Sequence, residues 1–129
     1  MGYTNYWHQH DDFTCHEWTQ IKKFYHGLKL IHGGGQFNEA DHTFNDETIH
    51  DDFIVFNGTK GQDCETFVLR KYRHDQKDKN DYFNFCKTNR NPYDAIVWSL
   101  LCFARYVKHD RTKFNIANDD GECSDKSVL

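Results

Sequence analysis

Residues 85–94, Phe-Cys-Lys-Thr-Asn-Arg-Asn-Pro-Tyr-Asp, set two cations and a hydroxyl directly ahead of the strongest helix start in the chain. A helix N-terminus carries unpaired N–H groups and about half a positive charge, so Lys87, Thr88 and Arg90 are the residue types an anion receptor needs there. The chemistry expected is capture of phosphate. Lys87 and Arg90 neutralise it, Thr88 donates a hydrogen bond, and Asp94 sits in the first helical turn. Flat faces on Tyr3, Tyr6, Trp7 and Tyr93 are candidates to stack on an attached base.

Three other constellations could carry chemistry. Cys86, next to Lys87 and close to the helix start, has the surroundings that lower a thiol pKa, but no paired His and orienting acid can be named for it. A small buried hydrophobe is its simpler role. His8-Gln9-His10-Asp11-Asp12 puts alternate imidazoles on one side of an extended segment, with His16 or Cys64 as the further ligands a metal would need. Nine histidines scattered along the chain make surface residues the expected reading, so no metal or other cofactor is assigned. Glu65 and Asp94 could form an acid pair; Asp94 more simply stabilises its own helix, and Glu65 pairs across the sheet or with a cation.

The elements that position these residues are legible from pattern. Asn91 as N-cap, Pro92 at the first helical position and Asp94 in the first turn begin a helix over 92–108. Its apolar residues (Ile96, Val97, Trp98, Leu100, Leu101, Phe103, Val107) cover more than one face, so it is the central core helix. Thr14-Cys15-His16-Glu17 fits a capping box bracketed by Phe13 and Trp18, and opens an amphipathic helix over 15–30 that Gly33-Gly34-Gly35 ends. The polar segment up to His50 reads as a connecting loop with room for a short strand. Residues 52–57 and 65–70 are β-branched and aromatic with Gly58-Thr59-Lys60-Gly61 between them, which predicts an antiparallel hairpin. Further strands are expected near 82–85 and 113–117, a polar surface turn over 73–81, and a turn at Asn118-Asp119-Asp120-Gly121. The sum is a single α+β domain over 1–129, a mostly antiparallel sheet packed with helices.

Composition narrows the partners. Sixteen basic against twenty acidic side chains leave a net charge of −4, which argues against broad phosphate neutralisation along duplex nucleic acid. The apolar helix is too short to span a bilayer, which needs roughly twenty residues. The N-terminus lacks the cationic start and apolar run of a signal peptide, and Tyr6 stands where a myristoylation signal wants Ser or Thr. Five cysteines without a C-x-x-C pair suit reduced thiols, and a cytoplasmic setting is expected.

The opening Gly2-Tyr3-Thr4-Asn5-Tyr6-Trp7, then Phe56-Asn57-Gly58, Cys64-Glu65-Thr66-Phe67, Phe85-Cys86-Lys87-Thr88 with Arg90, Pro92, Tyr93 and Asp94, and the closing Asp119-Asp120-Gly121 form an ordered pattern. It resembles a family of small proteins, without an assigned activity, encoded by tailed bacteriophages and prophages. The family's closing pattern is closer to Ser-Asp-Gly, and His8 and His10 fall outside it. What the resemblance implies is a setting in the host-cell cytoplasm, where small phage proteins bind and divert host factors. The functional expectation is then an accessory protein that binds, without turnover, a phosphate-bearing small molecule such as a nucleotide signal, to counter host defence. A protein–protein inhibitor of a host enzyme is the alternative, and a Cys- or metal-dependent hydrolase the second alternative.

Overall fold

The fold is described from a computed structural model that covers residues 2–32, 51–59 and 61–122. The helix stop at Gly33-Gly34-Gly35 and the loop expected up to His50 lie outside the described residues.

The described elements run β1 (Thr4–Gln9), α1 (Cys15–His32), β2 (Phe53–Phe56), β3 (Phe67–Arg70), β4 (Phe83–Lys87), α2 (Asp94–Lys108), β5 (Phe114–Asn118) and β6 (Gly121–Glu122). A 3-10 turn at Arg73–Asp75 lies in the polar stretch between β3 and β4. Strands β4, β1, β5 and β6 form one sheet in that order, and β2 pairs with β3 in a second. All pairings are antiparallel. The architecture is the expected α+β class.

The hairpin forms as its residues predict, with Phe53 opposite Arg70 and Phe56 opposite Phe67. Gly58, in the connection between the two strands, makes a backbone approach that admits no side chain, since a Cβ there would collide with the carbonyl of Gln62. Helix α1 opens on the expected capping box. The Thr14 N–H donates to Glu17 Oε1 (2.9 Å), the Glu17 N–H donates to Thr14 Oγ1 (3.1 Å), and the Phe13 and Trp18 rings stack at 5.7 Å. These bonds satisfy donors that a bare helix end would leave unpaired.

The structure makes one correction and one addition. Helix α2 starts at Asp94 rather than Pro92, because the Asp94 N–H closes a turn onto Asn91 O at 2.8 Å. Asn91 is therefore not the cap: its side-chain amide ties down the Asp63 carbonyl (3.1 Å), and the N-cap position falls to Tyr93, which makes no side-chain cap bond. The addition is β1: the N-terminal segment, to which the sequence pattern assigns no element, forms a strand between β4 and β5, with Trp7 opposite Asn84 on one side and Ile116 on the other.

One face of the four-stranded sheet packs with the helices and the hairpin. Trp7, Phe56, Phe67, Leu69, Ile96, Leu100, Leu101 and Phe114 are each at most 2% exposed, and burial of such side chains stabilises by roughly 1.5–3 kcal/mol apiece. Lys108 ends α2 inside this packing: its ammonium, in a side chain 5% exposed, lies 2.8 Å from Glu17 Oε1 and donates to the Asp12 carbonyl. The two helix ends are thereby locked together. Among the described residues, no helix is long and apolar enough to cross a membrane.

Candidate functional site

The residues ahead of α2 do not converge on open space. Thr88 is fully buried, and its hydroxyl donates to Asp94 Oδ1 at 2.6 Å. Asn5, also fully buried, donates its side-chain amide to the same oxygen at 2.7 Å. The chain's own carboxylate thus takes the place an anion would occupy. The nearby backbone donors are spent too: the N–H groups of Thr88 and Asn89 go to Tyr3 O (2.9 and 3.2 Å), and that of Asn91 goes to Thr88 O (3.1 Å).

The cations diverge. Arg90 lies in a left-handed conformation (φ 60°), lays its guanidinium 3.9 Å over the Tyr3 ring, and pairs with Asp120 at 2.9 Å. The Lys87 side chain runs instead over the backbone of Gly2. Tyr3 is 5% exposed and donates to Asp120 Oδ2 at 3.1 Å; burial first, and then that bond, push its phenol up to about 12. Tyr93 is fully buried with its hydroxyl on Glu65 O at 2.6 Å, and Trp7 is buried against Phe67. Of the eight residues expected to touch a ligand, Thr88, Tyr93, Trp7 and Tyr3 therefore serve packing, Asp94 fills the helix start, and Tyr6, Lys87 and Arg90 reach solvent in separate places.

The other chemistries fare similarly. Burial, with the Glu65 carboxylate second, pushes the Cys86 thiol far up, and its Sγ donates to Glu65 O at 3.4 Å. This is the reverse of an activated nucleophile. The Glu65 carboxylate accepts the Lys87 N–H at 2.6 Å, while Asp94 Oδ1 accepts from Thr88 and Asn5. His8 on β1 and His10 just beyond its end stack their rings at 5.7 Å, but His8 Nε2 lies on Asp81 at 3.1 Å. Among the described residues, no group of three or more His, Cys, Asp or Glu side chains could hold a metal.

What the structure does assemble is the sheet face opposite the helices. Along β1, Asn5, Trp7 and Gln9 point inward and are buried, so Thr4, Tyr6 and His8 point outward. On β4, Cys86 is buried, and Phe83 and Phe85 point outward opposite His8 and Tyr6. The rings form a continuous cluster: Phe83 lies 6.0 Å from Tyr6, 6.0 Å from Phe85 and 5.1 Å from His8. His10 extends it to Tyr82 at 6.0 Å, over which Arg73 stacks at 4.4 Å. Phe85 is 58% exposed. Two carboxylates rim the cluster, Asp81 on His8 and Asp119 on the Tyr6 hydroxyl at 2.8 Å; the Asp119 bond holds that phenol above its ordinary range.

No protein family, curated protein or solved structure matches this chain. Phe83, Phe85 and His8 were not among the residues expected to contact a ligand. The signal was present in the inverted alternation of β1, whose amides Asn5 and Gln9 occupy inward positions while a ring and an imidazole occupy outward ones.

Proposed function

We propose that this protein is a binding module that captures a partner protein on the outer face of β1 and β4, without turnover. The observation that carries the reading is Phe85, more than half exposed at the end of a ring cluster that lies on a rigid sheet rather than a loop. Contiguous solvated rings mark interaction surfaces, and aromatic anchors supply a large share of binding energy. The carboxylates of Asp81 and Asp119 at the rim suit a partner that presents a cation among apolar side chains, which the ring faces also attract.

Capture of a protein is favoured over capture of a nucleotide, because the helix start already holds Asp94 and its neighbouring amides are bonded to Tyr3 and Thr88. The resemblance to bacteriophage proteins supplies the setting: the partner is a host protein, diverted in the host cytoplasm.

The test is calorimetry with the partner recovered by affinity capture. Phe85→Ser should weaken binding at least tenfold, and Tyr106→Ser, which changes an exposed ring on α2, should leave it unchanged. Equal affinity for both variants would overturn the proposal. A nucleotide panel run against the wild type should give no heat.

A further inference from the structure

Strand β4 is an outer strand of its sheet, and its free side faces β3 across a cleft of about 290 Å³ whose lining includes Trp7, Val68, Lys77, Phe83 and Phe85. Antiparallel alternation fixes where each backbone group points. The Lys87 N–H and C=O both turn away from β1, to Glu65 Oε1 (2.6 Å) and the Glu65 N–H (3.0 Å). Tyr82 faces the other way, accepting the Gln9 N–H at 3.0 Å. Counting by twos, Phe85 and Phe83 direct their N–H and C=O into the cleft.

The opposite wall obeys the same logic. The Lys71 N–H bonds Asp52 O at 2.9 Å, so Leu69 and Phe67 face β2 and Val68 turns its backbone toward the cleft. Among the described residues, no backbone hydrogen bond joins Val68 to Phe83 or Phe85. The edges cannot zip together, because continuing from the Glu65–Lys87 pair would bring Phe67 and Leu69 opposite Phe85 and Phe83. Those β3 residues already bond to β2. A mismatch of phase holds two strand edges apart, with Trp7 and the Gln9 side chain beneath; Gln9 bridges to Arg70 O at 2.6 Å.

We infer that this cleft is a strand-addition site, in which an extended segment of the partner protein bonds the backbone of Phe83 and Phe85. Alternate side chains of that segment drop onto Trp7 and Val68, and the others stand beside the outer rings of Phe83 and Phe85. The occupant is a single free strand. A second copy pairing through its own β4 would have to bring its β3, which walls the far side of that cleft, into the same space. Arg70, Lys77 and Asp78 line the cleft with charges of both signs, so backbone and shape are the common basis on which the segment is held. This inference rests on the reading that the β1–β4 face binds protein, and names how.

The experiment is residue-resolved amide exchange with two probes: a capped hexapeptide of alternating valine and threonine, and the affinity-captured partner. Either probe should slow exchange of the Phe83 and Phe85 amides at least tenfold, leave those of Asn84 and Cys86 unchanged, and lose its effect when the peptide valines are N-methylated. A partner that needs Phe85 for affinity yet leaves both amides unprotected would overturn strand addition while the binding face stands. Absence of protection together with an inert Phe85→Ser would overturn both. Protection that grows with protein concentration alone would assign the edge to self-association and overturn the proposed occupant.

Discussion

Replacing Asp94 by Ala tests whether the start of α2 is a filled position or an open receptor. One carboxylate oxygen accepts from Thr88 Oγ1 at 2.6 Å and Asn5 Nδ2 at 2.7 Å, and both donor residues are fully buried. Removing it strands two donors out of reach of water, at about 1–3 kcal/mol each, and deletes a helix-start charge that contributes about 0.3–1 kcal/mol. The expected loss is about 4 kcal/mol, a large part of the roughly 5–15 kcal/mol that holds a domain folded. In urea, at an m-value of about 1.5 kcal/mol/M, the unfolding midpoint should fall by roughly 2.5 M. Asp94→Asn keeps an acceptor and should lose about half as much. Inorganic phosphate should partly restore Asp94→Ala, by filling the vacated helix start, and leave the wild type unmoved. A midpoint shift below about 0.5 M would refute the reasoning, because the donors would then have other partners.

Three further outcomes follow from the same geometry. Lys108→Met should destabilise by about 3–5 kcal/mol in the same urea assay, since it leaves Glu17 without the buried ammonium 2.8 Å away. Burial raises the Glu17 carboxyl, but the Lys108 and Thr14 bonds outweigh it and hold the group below its ordinary value of 4.5; its contribution is complete above that pH and lost as pH falls through the lower folded value, so Glu17→Gln should flatten the acid limb of a stability–pH curve. In the native state, thiol alkylation followed by mass spectrometry should label exposed Cys15 and spare buried Cys86 and Cys102 until the protein unfolds.

Local signals made much of this fold legible. Thr14 and Glu17 are three residues apart, so the capping box and its helix are written in one short stretch, and the β2–β3 hairpin is marked by its own β-branched residues. Strand β1 escaped because Asn5 and Gln9, not apolar residues, fill two of its three inward positions. They are held there by Asp94 and the Arg70 carbonyl, 89 and 61 residues away. The helix-start pocket failed for the same reason. Lys87, Thr88 and Arg90 are the right residue types at the right spacing, yet the groups that satisfy or divert them, Tyr3 O, Asp94 and Asp120, include two from opposite ends of the chain. Only the fold brings those together.

The most direct measurement of the central claim is photo-cross-linking from benzoylphenylalanine placed at position 85 and, separately, at position 106, in the presence of the affinity-captured partner. A partner-binding β1–β4 face predicts one stoichiometric adduct from position 85 and none from position 106. Equal labelling from both positions, or none from either, would contradict it.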